Sequence, residues 1–251
     1  MLTLFPHAWA SSIDRFALAA VVTMAFALLA RAVRGVDRSG SVAGGLACFL
    51  LFASAGPPAF LTLMTLFILT WLSTRIGYRR KQELGVAERR DGRSAWQVLA
   101  NLLASALAAA VLAATGQYAW GIAAVAALAE AATDTVASEI GQSRKHPARL
   151  ITNWQLVPAG VDGGITCAGT LTGAGAGIVI VVVATAAGLM NPGEMWIPVS
   201  AGFVGMLADS LLGATIQRRG WISNQGVNLV STLTAAALAY GLLAWRSALG
   251  N

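Results

Sequence analysis

The chain has 251 residues, of which 57% are hydrophobic and only 11% charged, and its mean hydropathy is +0.68. Soluble domains carry charge on about a quarter of their residues, so this composition excludes a soluble globular protein and describes an integral membrane one. The net charge of +6 reads as a topology and anionic-lipid signal, not as the footprint of a nucleic-acid binder.

At about 20 residues per span plus connections, the length predicts an all-α polytopic bundle of seven to nine transmembrane helices in a single domain, 1–251. Apolar runs place eight spans near 16–34, 41–56, 58–74, 96–115, 118–140, 164–189, 195–215 and 226–245. No basic stretch leads into a short apolar run at the N-terminus, where Pro6, Asp14 and Arg15 come first, so the first span is expected to stay as an anchor. The second span is short and glycine-bearing, tilted or partial, and Gly56, Pro57 and Pro58 mark the turn into the third. Cys48 and Cys167 lie in apolar runs and read as buried, inert thiols.

Fifteen of the seventeen Lys and Arg fall on alternate connections. These are Arg31 to Arg38, Arg75 to Arg93, Arg144 to Arg149, and Arg218 with Arg219. The positive-inside rule makes that face cytoplasmic, which puts both termini outside a cytoplasmic (plasma or inner) membrane. A miscounted helix would break the alternation.

With the spans oriented, Asn101, Asp134, Glu139, Asp209 and Asn228 fall near the cytoplasmic ends of four different helices. An uncompensated carboxylate costs about 2.5–3.5 kcal/mol at a helix centre and less toward the interface, and a cation is the natural compensator. Asp134 and Glu139 are five positions apart, roughly 140° around a helix, whereas Glu130 and Asp134 share a face. The expectation is that Asp134 pairs with Asp209 and that Glu139 stands at the mouth. The alternative is a set of hydrogen-bonded helix contacts, with Glu139 solvated at the interface.

Pro158, Gly160, Gly163 and Gly164 lead into the sixth span from the cytoplasmic side. A glycine-rich turn entering a helix N-terminus offers backbone N–H groups and a positive dipole end for phosphate, and Arg144, Lys145 and Arg149 add charge nearby. Gly173, Gly175 and Gly177 fit helix packing better. Carboxylates, a glycine turn and bases at one rim are the parts needed to hold a Mg²⁺–nucleotide. No G-x-x-x-x-G-K-[ST] stretch is present, so the helices themselves must form the site, and a second substrate would come from the bilayer. Ser210, beside Asp209, fits a metal contact or a bond to its own helix equally well. His146 reads as an interfacial residue.

The stretches "GRSAWQVLAN" from Gly92, "ATDTVASEIG" from Ala132, "RLIT" from Arg149, "VPAGVDGGITCAGT" from Val157, "GMLADSLLGATIQ" from Gly205 and "NQGVNLVSTL" from Asn224 resemble the successive motifs of one family. That is the integral-membrane family of domain of unknown function ninety-two, which includes phytyl-phosphate kinase, and the likeness runs over about 39–237. The resemblance implies phosphate transfer from a nucleoside triphosphate, CTP being favoured, to an isoprenoid (phytyl or prenyl) monophosphate, giving the diphosphate. "DTVASEIG" is also distantly similar to the D-x-x-A-x-x-x-G segment of CTP-using membrane enzymes such as dolichol kinase and CDP-diacylglycerol synthase. By that likeness Asp134 and Asp209 would serve Mg²⁺, and Gly163, Gly164 and Asn228 the phosphates or nearby helix ends. Leu102 and Leu103 stand where family members often have glycines, and Asp162 where a small polar residue precedes the paired glycines. A CTP-dependent lipid-phosphate kinase is thus expected, with Arg149 or Lys145 steadying phosphate. Two alternatives are a cytidylyltransferase-like enzyme on a lipid phosphate and a transporter or non-catalytic membrane protein.

Overall fold

The computed structural model describes residues 12–144 and 146–249; Pro6 and Lys145 lie outside the described residues. Eight helices follow in order: α1 (Ser12–Ala32), α2 (Arg38–Arg75), α3 (Tyr78–Glu83), α4 (Ala95–Thr115), α5 (Tyr118–Ser143), α6 (Cys167–Ala186), α7 (Trp196–Thr215) and α8 (Asn224–Leu249). Six of them, all but α3 and α5, are long and apolar enough to cross a membrane.

Helix α2 accounts for two of the expected spans. Straight, its 38 residues would reach roughly 57 Å, yet both of its ends meet the same neighbours. Asp37 caps its start by accepting from Gly40 N at 2.8 Å, while Trp71 and Arg75 at its far end donate to Val33 O at 3.1 and 2.8 Å. The chain therefore folds back at Gly56 (φ 74, ψ −165), just before Pro57 and Pro58. That backbone region is open to glycine almost alone. Gly56→Ala is expected to cost about 1–3 kcal/mol, seen as a lower thermal midpoint in detergent; an unchanged midpoint would remove the strained turn.

Helix α5 is not apolar enough to stand with those six because Glu130, Asp134 and Glu139 lie within it, but it is the axis of the bundle. It packs against α2, α4, α6, α7 and α8, and every residue from Gly121 to Thr133 is buried. Its alanines follow from that crowding, since close approach of helix backbones requires small side chains. The same applies to α6, where a Cβ on Gly173 would stand 2.4 Å from Thr133 O and one on Gly177 2.2 Å from Thr133 Oγ1. Gly175 faces open space, so it does not belong with the packing glycines.

The basic connections gather at one end of the bundle. Arg80 Nε donates to Arg144 O at 2.8 Å, and Arg93 lies 4.0 Å from Glu139. The opposite rim joins the α4–α5 and α6–α7 turns to the end of α8: Asn191 N donates to the Tyr118 hydroxyl at 3.1 Å, and Arg246 lies 3.9 Å from Glu194. With α2 folded back, this is the alternation that the charges predicted.

The sixth span begins later than expected. Residues 148–165 form a three-stranded antiparallel sheet, order β2-β1-β3, from β1 (Ala148–Leu150), β2 (Leu156–Val157) and β3 (Gly164–Ile165). Helix α6 starts only at Cys167, with Thr166 as its N-cap accepting from Gly169 N at 3.0 Å. Cys48 is buried as expected, whereas Cys167, in the first turn of α6, is exposed.

Candidate functional site

Asp134 on α5 and Asp209 on α7 meet, their carboxylates within hydrogen-bonding reach of one another. The close approach of the two helices rests on glycines: a Cβ on Gly205 would stand 2.6 Å from Glu130 Cγ, and one on Gly202 3.0 Å from Glu130 N. Both aspartates line a cleft of about 110 Å³ at the basic end of the bundle. Ser210, Asn224, Ser138, Thr166 and Thr170 supply further oxygen and amide groups. Ser231 Oγ reaches Asp209 Oδ2 at 3.4 Å. One turn deeper, Glu130 is 1% exposed and its Oε1 has no hydrogen-bond partner.

Two carboxylates held this close repel each other unless a cation or a shared proton lies between them. The donors around them are hard oxygens, the set that suits Mg²⁺. Among the described residues no three His, Cys, Asp or Glu side chains gather closely enough to cage a metal alone. A magnesium ion held by two aspartates would complete its octahedron with water or phosphate oxygens, as it commonly does.

Glu139 does not stand at the mouth of this cleft. It forms a salt bridge with Lys81, accepts from Thr74 Oγ1 at 3.0 Å and lies 4.0 Å from Arg93. The five-residue offset turns it roughly 140° away from Asp134, toward α2 and α3. Gly163 and Gly164 do line the cleft, but as a turn and strand, not as a helix start. Gly164 N already donates to Val161 O at 2.9 Å, and Gly163 O accepts from Ile151 N at 3.1 Å. Gly163 (φ +74) presses on α7, where a Cβ would stand 2.3 Å from that of Ala214. Gly163→Ala should therefore destabilise the protein by about 1–3 kcal/mol and loosen the cleft wall; a wild-type thermal midpoint would contradict that contact.

The expected bases lie elsewhere. Arg149 alternates outward between the buried Ala148 and Leu150 and donates to Trp154 O at 2.9 Å. Arg144 is exposed at the C-cap of α5. No Lys or Arg lines the cleft among the described residues. The charges that act on it are Arg93, on Asp134, and Arg218, on Asp162. Asp162, in the loop, is pushed above the usual carboxylate range by burial, against the pull of Arg218 and Gln217. Sequence reasoning placed Arg93 and Arg218 only as topology charges, because nothing in their spacing shows which loop folds over which helix.

Asn101 faces a second cavity, of about 320 Å³, between α1, α2, α4 and α5. Its Nδ2 donates to Gln97 O at 2.8 Å, while its buried Oδ1 has no partner. Asn228 lies one turn before both Ser231, which reaches Asp209, and Thr232, whose hydroxyl reaches Ala100 O at 3.3 Å, so it stands on α8 between the sides turned to α7 and to α4. The cavity walls on α5 are Ala131 and Thr135, roughly 60–100° around the helix from Asp134. Cavity and cleft are thus adjoining faces of one helix.

The chain resembles an uncharacterized membrane protein of Synechocystis, 33% identical over 201 residues and 77% of each chain. An uncharacterized membrane protein of Methanocaldococcus jannaschii is 32% identical over 228 residues, 89% of this chain and 92% of the relative. The protein VTE6, chloroplastic, of Arabidopsis thaliana is 29% identical over 219 residues, 82% of this chain and 65% of the relative. No solved structure matches. The family model described as "Integral membrane protein DUF92" matches residues 21–236, and this chain belongs to that family.

Proposed function

We infer that the protein is a membrane-embedded kinase that transfers the terminal phosphate of CTP, or of another nucleoside triphosphate, to an isoprenoid monophosphate. Its cleft faces the cytoplasm by the positive-inside rule. The observation that carries this reading is the Asp134–Asp209 pair, two carboxylates from separate helices in a polar cleft at the basic rim. The family likeness supplies the reaction class.

Asp134 and Asp209 would hold Mg²⁺, which when bound neutralises phosphate charge and aligns the phosphoryl group. Ser210 and Asn224 offer polar contacts to phosphate or ribose. Arg93 adds positive charge beside α5, 4.0 Å from Glu139. The acceptor phosphate is already ionised, so no general base is needed, and positioning carries the catalysis.

The test is purified protein in lipid nanodiscs with Mg²⁺ and CTP labelled at the γ-phosphate, against phytyl, geranylgeranyl and longer prenyl phosphates. Label in a lipid diphosphate supports the kinase. Label in released pyrophosphate makes it a cytidylyltransferase, and flux across proteoliposomes without nucleotide makes it a transporter.

A further inference from the structure

We propose that the second cavity is the seat of a single-chain lipid phosphate taken from the bilayer, with its phosphate at the arginine rim and its chain running inward between α1, α2 and α4. The inference deepens the kinase reading by locating its acceptor, but binding here requires neither nucleotide nor turnover.

The cavity changes character along the bundle axis. Its deep walls are apolar, from Phe26, Leu63, Leu66, Phe67, Val98 and Leu102. Toward the basic end the lining becomes Arg34, Arg75, Arg89, Arg90 and Arg93, opposed by a single carboxylate, Glu88. Apolar depth with a cationic mouth is the complement of an amphiphile carrying one anionic head. The volume, about 320 Å³, lies within the usual range for ligand pockets.

Several of these arginines are already engaged. Arg89 bonds Asp91 at 2.7 Å, Arg93 lies 3.6 Å from Glu88, and Arg75 lies over the Trp71 ring and donates to Val33 O. Arg34 and Arg90 have no acidic partner among the described residues. Guanidinium forks without a carboxylate are suited to phosphate oxygens.

Glycines make the room. Gly44 and Gly45 line the cavity where α2 faces α4 and α1, and a Cβ on either would find only ordinary contacts, at 3.6 Å from Val98 and 3.7 Å from Ala27. A methyl group would therefore fit at either position. Their small size leaves that face of the cavity open to an alkyl chain. Thr135 in the wall of this cavity is the residue next to Asp134, and Arg93 at the mouth lies 4.0 Å from Glu139 on the same helix, so the head of the bound lipid sits at the edge nearest the aspartate pair.

The experiment is equilibrium binding of radiolabelled geranylgeranyl phosphate to the full-length protein in nanodiscs, without Mg²⁺ or nucleotide. Saturable binding is expected in the wild type under these conditions, where no phosphate can be transferred, which separates this inference from any failure of the kinase reading. The exposed rim pair Arg34→Gln with Arg90→Gln should weaken it at least tenfold, and Gly44→Leu, which fills the cavity, should weaken it comparably. Unlabelled geranylgeraniol, inorganic phosphate, CTP and two-chain phosphatidic acid should each compete at least tenfold less well than geranylgeranyl phosphate. Absence of saturable binding, or binding indifferent to both the rim pair and Gly44→Leu, would overturn the assignment. Equal competition by inorganic phosphate, CTP or phosphatidic acid would overturn it in favour of a free-anion, nucleotide or bulk-lipid site respectively.

Discussion

Asp134→Asn is expected to lower Mg²⁺-dependent phosphate transfer from CTP to lipid at least about 100-fold, since losing even an outer-shell partner of a metal ligand commonly costs 10–100-fold. Asp209→Asn should do the same, and the double variant little more, because two groups holding one ion fail as a unit. The change is nearly isosteric and removes a repulsion between adjacent carboxylates, so the folded protein should not lose stability. Magnesium should raise the thermal midpoint of the wild type by preferential binding to the folded state, and should leave Asp134→Asn unmoved. Those two readouts separate a metal site from a plain helix contact. Full transfer activity in Asp134→Asn would take that residue out of the mechanism.

What the sequence made legible follows physical lines. The span count was readable because fifteen bases fall on alternate connections and because the Gly56 turn carries two prolines. The proximity of Asp134 and Asp209 was expected from depth alone: carboxylates at one level on neighbouring helices, with a cation as the natural compensator. The β1–β3 sheet was not legible, since strands of two or three residues are too short to show alternation. Their glycines read equally well as a helix start. The second cavity was invisible for a different reason. Its arginines appear in sequence as topology charges, and only the fold-back of α2 brings Arg34, Arg75 and Arg90 around one mouth.

Glu139 illustrates how far helix geometry reaches and where it stops. The 140° offset said that Glu139 and Asp134 look different ways, but not what Glu139 would meet. The answer lies 58 residues earlier, in the six-residue helix α3, where Lys81 is 0% exposed and bonded to Ser73 O, Thr74 O and Glu139. Removing one member of a buried pair strands the other charge and costs about 3–5 kcal/mol, whereas replacing both with apolar side chains is often neutral. Glu139→Gln should accordingly lower the thermal midpoint sharply in detergent. Glu139→Leu combined with Lys81→Met should recover most of the loss and should transfer phosphate at close to the wild-type rate. If instead Glu139→Gln keeps its midpoint and loses activity, the carboxylate acts on the reaction itself. The Lys81 pairing would then be incidental to its role, and the motif's second acid would rejoin the first.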